Sequence, residues 1–309
     1  MHTHQARKLE PNGDGIASAA ALLRAGRLVA FPTETVYGLG AAAQDGAAVA
    51  AIYAAKGRPS FNPLIVHVAD MAQAQSIAQF DDTALQLAQA FWPGPLTLVL
   101  PLAPGHGIAS LVTAGLDTVA LRVPGHPLAQ ALLQEFGGPV AAPSANPSGR
   151  ISPTRAAHVL AGLGDQIDAV LDGGTCPVGL ESTIVGGAPL ALLRAGGVAV
   201  EEIEKITGPL VTAGPEITAP GQLAAHYAPA VPLRLNARVA TVEEVLVGFG
   251  PGPGDLNLSA TGNLTEAAAN LFEMLHMLDA RGQPAAIAPI PDHGLGRAIN
   301  DRLRRAAVR

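Results

Sequence analysis

The segment 27–40 reads RLVAFPTETVYGLG, a short apolar run followed at once by a polar loop. The run Arg27–Phe31 predicts a buried strand, because it is short, mostly apolar and bounded by glycine and proline. The loop behind it offers two threonine hydroxyls and the carboxylate of Glu34. Ligands of open α/β sheets lie outside the carboxyl ends of strands. The segment therefore predicts an α/β fold with a small-molecule site at this strand end.

The same alternation of apolar runs and helical patterns continues along the chain. Helices are predicted at 16–25 and 46–55, and further strands at 64–68, 96–100, 119–123, 140–142, 169–171, 183–185 and 190–193. Strands interleaved with helices predict an α/β domain with a mixed sheet. The stretch 83–116 has no charged residue but holds four prolines, so buried strand and loop are expected there instead of a membrane span.

Three parts are predicted along the chain. A first α/β domain spans 1–206, a linker spans 207–231, and a small C-terminal α/β domain spans 232–309. The linker is rich in proline and glycine, which prevents a regular element. In the last part, strands are expected at 232–235 and 285–290, and helices at 264–278 and 295–308.

The composition excludes several classes of protein. Of the 309 residues, 49% are hydrophobic and 14% charged, which fits a folded chain and not a disordered one. A net charge of -6 and an aromatic content of 4% argue against a surface that coats nucleic acid. The single cysteine, Cys176, excludes an intrachain disulfide and a cysteine-rich zinc site. The polar N-terminus shows no secretory signal pattern, so a cytoplasmic protein is expected.

Several familiar catalytic motifs are missing. The sequence contains no GxxxxGK[ST], no HExxH and no GxSxG, which excludes a P-loop NTPase, a zincin and an α/β-hydrolase. The run GLGAAA at 38–43 fits a loose GxGxxA pattern, but no acidic residue follows at the spacing that dinucleotide binding requires. The chemistry therefore has to come from other polar residues.

Four cationic or titratable residues in the first domain are candidate ligand contacts. Lys56 and Arg58, held in a loop with two prolines, would suit a polyphosphate, although they could merely complement the helix dipole. Arg122 lies within a predicted strand and needs an anionic partner, either a substrate carboxylate or one from the protein. His67 is either a ligand contact or a satisfied core histidine.

Two further polar runs, 142–149 and 179–183, lie near predicted strand ends, and Arg194 ends another strand. Each run alone could be an ordinary loop. All the polar runs of the first domain, including 32–38, share one acidic candidate pair, Glu34 and Glu181, and show no histidine–carboxylate–serine order. Together they predict a pocket that aligns substrates and performs little covalent chemistry itself.

Taken together, these motifs resemble the threonylcarbamoyl-AMP synthase family, the YrdC-like proteins, in its two-domain form. The matching motifs are PTETVYGLG at 32–40, Lys56 and Arg58 with NPL at 62–64, PGPLT at 93–97, RVP at 122–124, Ser144 with Asn146, and EST at 181–183. Residues 220–229 resemble the family's linker, with departures at Gln222 and Ala225, and 300–303 resemble its ending. The resemblance implies a YrdC-like twisted mixed sheet with helices, followed by a linker and a small Rossmann-like domain.

The resemblance also implies an activity and a set of site residues. L-threonine, bicarbonate or CO2, and ATP would yield threonylcarbamoyl-AMP and pyrophosphate, for the threonylcarbamoyladenosine (t6A) modification of tRNA. The implied catalytic residues are Lys56, Arg58, Ser144 and Asn146. The implied ATP ligands are Arg58, Asn62, Thr118, Ser144, Ser152, Arg194 and Tyr227, and the implied threonine ligands are Thr35, His67, Arg122, Ala142 and Ser182.

The same resemblance implies cofactors and partners. Lys56 and Arg58 would neutralise charge around the phosphates, and Mg²⁺ would accompany ATP without a protein-only metal site. The linker would close as a lid that brings Tyr227 to the nucleotide. A downstream tRNA threonylcarbamoyl transferase would take the product; weak binding of tRNA itself is left open, and no membrane partner is expected.

Three other functions remain as alternatives. An RNA-binding translation factor would show strongly salt-dependent affinity for tRNA, which the acidic charge makes less favourable. A related carbamoyl-adenylate enzyme with another acceptor, as in hydrogenase maturation, would usually carry zinc-finger cysteines that this chain lacks. A catalytically silent relative would not be expected to keep the four implied catalytic residues.

Overall fold

The computed structural model describes residues 5–212, 214, 219 and 227–308. The linker motif at 220–226, with Gln222 and Ala225, lies outside the described residues. Two sheets organise the described chain, one of eleven strands and one of four. This confirms the predicted α/β class with a mixed sheet.

The first sheet consists of eleven short strands. They are β1 (Arg7–Leu9), β2 (Val29–Phe31), β3 (Gly38–Ala42), β4 (Ile65–His67), β5 (Leu96–Pro101), β6 (Thr118–Arg122), β7 (Val140–Ala141), β8 (Ala169–Leu171), β9 (Thr183–Gly186), β10 (Ala191–Arg194) and β11 (Val211–Thr212). Their order across the sheet is β1-β8-β2-β3-β7-β4-β6-β5-β9-β10-β11. Neighbours are parallel in some pairs and antiparallel in others, because helices and tight turns both connect the strands.

Helices pack against this sheet and close its core. They are α1 (Gly13–Arg24), α2 (Gly46–Lys56), α3 (Met71–Ile77), α4 (Asp82–Phe91), α5 (Ser110–Thr113), α6 (Pro127–Phe136), α7 (Ala156–Leu163) and α8 (Val200–Thr207). Alanine, leucine, valine and isoleucine supply most of the buried side chains between helices and sheet. Small and branched residues thus fill a core that the low aromatic content leaves without large rings.

Two expectations, one for this domain and one for the linker, are wrong. The charge-free stretch 83–116, expected as strand and loop, lies partly in helix α4. Asp81 caps that helix by accepting a hydrogen bond from the amide of Ala84, and Leu87 lies on its buried face. The segment 207–230, expected without a regular element, contributes strand β11, which pairs in parallel with β10.

The sheet register places the predicted site residues side by side. Strands β4 and β6 run parallel, with His67 opposite Arg122 at their carboxyl ends. Strand β7 pairs antiparallel with β4, and the chain leaves β7 directly into the polar loop at 142–149. Gly38, at the start of β3, forms a bridge with Ser144 of that loop. The strand ends therefore gather three of the predicted polar segments at one location.

The C-terminal sheet is entirely parallel. Its strands β12 (Leu233–Arg234), β13 (Val245–Gly248), β14 (Leu256–Asn257) and β15 (Ala285–Ile287) lie in the order β12-β15-β13-β14, with helices α9 (Leu264–Arg281) and α10 (Leu295–Ala307). Apolar residues of this domain share one buried cluster with Val36, Ile151 and Leu180 of the first domain. Loop residues of the first domain are thus joined to the C-terminal domain by a continuous apolar contact.

Among the helices within 5–212 and 227–308, none combines the length and the apolar content needed to cross a bilayer.

Candidate functional site

A pocket lies where the strand ends of the first sheet meet the linker. Its walls are formed by Thr33, Thr35, Val36, Gly38, Arg58, Ile65, His67, Arg122, Ala142, Pro143, Ser144, Glu181, Ser182, Arg194 and Tyr227. These residues come from the loop after β2, the start of β3, the loop after α2, strands β4 and β6, the loop after β7, the segment before β9, the end of β10 and the linker. Chain segments far apart in sequence therefore supply one site.

Arg122 is buried at the end of β6 with three protein partners. Its Nη2 donates to Glu34 Oε1 at 2.6 Å, its Nη1 to Thr35 Oγ1 at 2.9 Å, and its Nε to the carbonyl of Gly94 at 3.1 Å. The second oxygen of Glu34 accepts from the amide of Gly125 at 2.9 Å. Arg122 is thus both an internal ion-pair partner and a wall of the pocket, and these contacts use three of its five N–H donors.

His67 faces Arg122 across the parallel strands. Burial and the charge of Arg122 lower the pKa of His67 to about 3, so its imidazole is neutral at physiological pH. Its ring meets Phe31 edge-on, with 6.1 Å between ring centroids, and its Nδ1 has no hydrogen-bond partner within the described part of the chain. A neutral imidazole here can exchange hydrogen bonds with a ligand without adding charge.

Lys56 is the last residue of helix α2. The sequence predicts that it contacts phosphate, but in the structure it contacts backbone carbonyls. Its Nζ donates to the carbonyl of Ser144 at 2.6 Å and to the carbonyl of Asn146. Burial and the neighbouring Arg58 hold the pKa of Lys56 well below its usual value. Lys56 does not line the pocket but supports the loop that carries Ser144, so its direct role toward phosphate stays a prediction.

Arg58 enters the pocket because the chain turns sharply after α2. Gly57 has a φ of 59° at the helix end, a left-handed conformation that favours glycine. Arg58 Nε then donates to the carbonyl of Asn62 at 3.2 Å and Nη2 to that of Pro63 at 2.9 Å. Burial lowers the pKa of Arg58 to about 10, which still leaves it charged at neutral pH.

A third arginine stands at the end of β10. Arg194 Nε and Nη2 both donate to the carbonyl of Ser182, at 3.1 and 3.0 Å. The Ser182 hydroxyl lies 2.7 Å from Thr97 Oγ1 and accepts from Arg194 Nη2 at 3.2 Å. Burial lowers the pKa of Arg194 from its usual value. Three arginines on separate elements thus surround one pocket, which favours an anionic ligand.

The structure separates the predicted site residues into three groups. Those that line the pocket are Thr35, Arg58, His67, Arg122, Ala142, Ser144, Ser182, Arg194 and Tyr227. Those that are buried outside its lining are Lys56, Asn62, Asn146 and Ser152. Thr118 lies at the opposite end of β6 from Arg122, about 13 Å away at roughly 3.3 Å per residue, and lines a separate cavity. Its contact with ATP therefore stays a prediction.

The linker already covers part of the surface between these two ends of β6. Ala219 is fully buried and packs in one apolar cluster with Ile65, Ala120 and Ile184 of the sheet. Ala120 lies midway between Thr118 and Arg122 on the same strand face. A ligand that spans both ends of β6 would have to share this face with the linker.

Sequence reasoning missed one residue at the back of the site. Arg302, on helix α10 of the C-terminal domain, donates from Nε to Glu181 Oε2 at 2.9 Å, and the ring of Tyr227 lies beside it. The only sequence signal was the motif at 300–303, which was interpreted as the end of the second domain. No pattern in the sequence indicated that it reaches a residue 121 positions earlier.

The described residues offer no ready-made metal site. No group of three or more His, Cys, Asp or Glu side chains is placed to hold a metal ion in the described part of the chain. Glu181, which lines the pocket, and Glu34, which contacts the pocket residue Arg122, are each paired with an arginine. A cation at this site would need ligands from the substrate.

Comparisons with known proteins agree over both domains. Residues 21–196 match the Sua5/YciO/YrdC family model, described as "Telomere recombination", and residues 198–308 match the model described as "Threonylcarbamoyl-AMP synthase, C-terminal domain". The threonylcarbamoyl-AMP synthase of Bacillus subtilis is 42% identical over 97% of this chain and 95% of its own length. The enzyme of the same name from Pyrococcus abyssi is 40% identical over 94% of each chain.

A solved structure has the same two-domain arrangement. The crystal structure of Pyrococcus abyssi Sua5 complexed with L-threonine superimposes with a TM-score of 0.89 at 38% identity, covering 98% of this chain and 97% of that one. Escherichia coli YciO, at 23% identity and a TM-score of 0.56, shares the fold over 62% of this chain. The family models, the near full-length relatives and the shared fold show that this chain belongs to the threonylcarbamoyl-AMP synthase family, in its two-domain Sua5-type form.

Proposed function

We propose that this chain is a threonylcarbamoyl-AMP synthase that joins L-threonine, bicarbonate or CO2, and ATP into threonylcarbamoyl-AMP and pyrophosphate. The observation that carries the proposal is the pocket with Arg58, Arg122 and Arg194 around the neutral His67. Such a pocket can hold two anionic substrates together, and its described lining contains no nucleophile–base pair for covalent catalysis. The near full-length relatives of that name support the same activity.

The reaction mainly requires that the substrates are aligned with each other. The neutral threonine amine adds to CO2 and loses a proton to solvent, which gives a carbamate. One carbamate oxygen then attacks the α-phosphorus of ATP, the bond from that phosphorus to the oxygen bridging to the β-phosphorus breaks, and pyrophosphate leaves. Two anions must approach each other in this step, so fixed cations and donors lower the barrier by offsetting their repulsion. Groups fixed before the substrates arrive need no reorganisation during the reaction, and the contacts of Arg58, Arg122 and Arg194 with backbone carbonyls fix all three.

We assign the threonine side of the pocket to the ends of β4 and β6. The two N–H donors that Arg122 has left can bind the threonine carboxylate, while Glu34 holds the guanidinium in place. Thr35, His67, Ser182 and the Ala142 backbone surround the same space. The Pyrococcus abyssi structure with L-threonine, at 38% identity, supports a threonine site in this fold.

We assign the nucleotide side to Arg58, Ser144, Arg194 and Tyr227, with Asn62, Asn146 and Ser152 as supporting residues. Arg58 keeps further N–H donors for phosphate oxygens after its contacts with two carbonyls and with the Tyr53 side chain. Mg²⁺ fits this site only through phosphate oxygens and water, because the nearby carboxylates are already paired. When bound there, the ion would offset phosphate charge, and the residues of this chain would hold the phosphates by hydrogen bonds.

The product would serve tRNA modification. Threonylcarbamoyl-AMP is a mixed anhydride, so an enzyme that transfers the threonylcarbamoyl group to tRNA must consume it soon after release. We place this reaction in the cytoplasm because it draws on ATP and supplies a step that acts on tRNA. Contact with the transferase or with tRNA itself is part of the proposal.

Product analysis tests the proposed function. The full chain is incubated with ATP, Mg²⁺, L-threonine and ¹³C-bicarbonate, and the adenylate fraction is analysed by mass spectrometry. We expect a threonylcarbamoyl-AMP species that gains one mass unit from the ¹³C label. An adenylate formed without threonine would identify another acceptor, and the absence of any adenylate product would refute the proposal.

A further inference from the structure

We propose that Arg302, contributed by the C-terminal domain, is a positioning residue for the ATP side of the site and acts through Glu181 and Tyr227. The inference rests on the proposed function and deepens it, because it gives the C-terminal domain a defined task in catalysis. Arg302 itself does not line the pocket, whereas Glu181 and Tyr227 do.

The contacts of Arg302 connect helix α10 directly to the pocket wall. Its Nε donates to Glu181 Oε2 at 2.9 Å, and its Nη1 donates to Asp301 Oδ2 at 2.7 Å. Asp301 is held in turn by Arg305, whose Nε lies 2.9 Å from Asp301 Oδ1. The guanidinium carbon lies 5.1 Å from the centroid of the Tyr227 ring. This fixes the guanidinium against both Glu181 and the tyrosine ring.

Glu181 links Arg302 to Ser152, a predicted ATP ligand. The carboxylate oxygen that does not bind Arg302 accepts a hydrogen bond from the Ser152 hydroxyl. Burial alone would raise the pKa of Glu181, but the charges of Arg302 and Arg194 outweigh it and hold that pKa below its usual value. The carboxylate therefore stays ionised and keeps Ser152 oriented, and it does so because Arg302 faces it.

Tyr227 is the second residue through which Arg302 would act. Its backbone has a φ of 65°, a left-handed conformation that a non-glycine residue adopts only when its surroundings impose it. The ring is fully buried against Arg302 on one side and Phe272, 5.6 Å away, on another. The C-terminal domain thus holds the described end of the linker at the pocket in a conformation that the linker would not keep by itself.

Holding the two domains together does not by itself explain why position 302 is an arginine. Arg302 is 0% exposed, and its Nη2 has no hydrogen-bond partner among the residues that the structure describes. A buried guanidinium with an unpartnered nitrogen costs stability, and an apolar side chain would join the domains at lower cost. The other arginine–carboxylate pairs described between the domains are more exposed. The arginine side chains are 49% exposed in Arg150–Asp279, 50% in Arg155–Glu273 and 44% in Arg297–Glu201.

The test compares Arg302→Met and Arg302→Lys with Arg155→Met in the full chain. Arg155→Met removes an ion pair between the domains away from the pocket, so it is the matched control. We expect Arg302→Met to raise KM for ATP at least tenfold while KM for threonine changes less than threefold. Arg302→Lys should lie between Arg302→Met and wild type, because it keeps the charge and loses the planar fork. Arg155→Met should match wild type.

Affinity for a non-hydrolysable ATP analogue, measured by calorimetry, keeps the test independent of turnover. Weaker binding in both Arg302 variants than in Arg155→Met would support the positioning role. Two results would overturn it. One is a fall in kcat of both Arg302 variants with KM for ATP unchanged, and the other is the same change in KM for ATP in Arg302→Met and Arg155→Met. If Arg302→Met does not fold, the same comparison of KM for ATP and analogue affinity is made between Arg302→Lys and Arg155→Met. A wild-type chain that makes no adenylate refutes the proposed function instead, whatever the Arg302 variants do.

Discussion

Replacing Arg122 with methionine is expected to lower kcat/KM for threonine by roughly 10²–10³-fold and to destabilise the first domain. Arg122 is 3% exposed and its guanidinium pairs with Glu34 at 2.6 Å, so its removal leaves a buried carboxylate without its cation. Breaking a buried ion pair in this way costs about 3–5 kcal/mol. The same change removes the only arginine that the proposal assigns to the substrate carboxylate. Steady-state kinetics with threonine as the varied substrate, together with urea denaturation, measure both effects.

A double variant separates the two effects of this substitution. Glu34→Gln with Arg122→Met removes both charges, so the stability lost in the single variant should largely return. Threonine-dependent turnover should not return, because no cation is left for the carboxylate. Recovery of turnover in the double variant would show that Arg122 serves the fold alone, which contradicts the threonine side of the proposal.

Replacing Lys56 with methionine is expected to reduce kcat roughly 100-fold with little change in KM for threonine. Lys56 Nζ is hydrogen-bonded to the carbonyls of Ser144 and Asn146, and methionine leaves both buried oxygens without that donor. Each unsatisfied buried group costs about 1–3 kcal/mol, which the loop at 142–149 can avoid only by moving. Movement there displaces Ser144 from the nucleotide side of the pocket. Initial rates with ATP and threonine varied separately measure the effect.

The matched control for Lys56→Met is Lys205→Met. Lys205 lies on helix α8 with a side chain that is 67% exposed, and it pairs with its neighbour Glu202. Its loss should leave both kinetic constants and stability close to wild type, as for most exposed ion pairs. A Lys56→Met enzyme with wild-type kcat would contradict the loop-supporting role that the structure gives to this lysine.

Much of the first domain could be predicted from its sequence because its strands are short, apolar and bounded by glycine or proline. The runs around β2, β4 and β6 are of this kind, and each predicted strand overlaps an observed one. Helices such as α4, α6 and α7 were missed. Helix α4 lies mostly within the charge-free stretch 83–116, where strand and loop were expected, and its capping residue Asp81 lies just before that stretch. Strand β3, rich in glycine, offered no β-branched or aromatic pattern.

The site was predictable to the extent that polar residues follow strand ends. His67 and Arg122 meet because two parallel strands end together, which follows from the fold class. The partner of Arg122 could not be chosen from sequence, since Glu34 and a substrate carboxylate satisfy the same requirement. The loop contacts of Lys56 and the reach of Arg302 to Glu181 join residues 88 to 121 positions apart, and such contacts depend on packing that no local pattern encodes.

Pyrophosphate release from ATP tests the central claim most directly, namely that one pocket aligns three substrates. The assay follows the full chain with ATP and Mg²⁺, first complete, then without threonine, and then without bicarbonate in CO2-depleted buffer. The account predicts release that requires both omitted components and that falls by at least 100-fold when either is absent. Release that continues unchanged without threonine or without bicarbonate would contradict it.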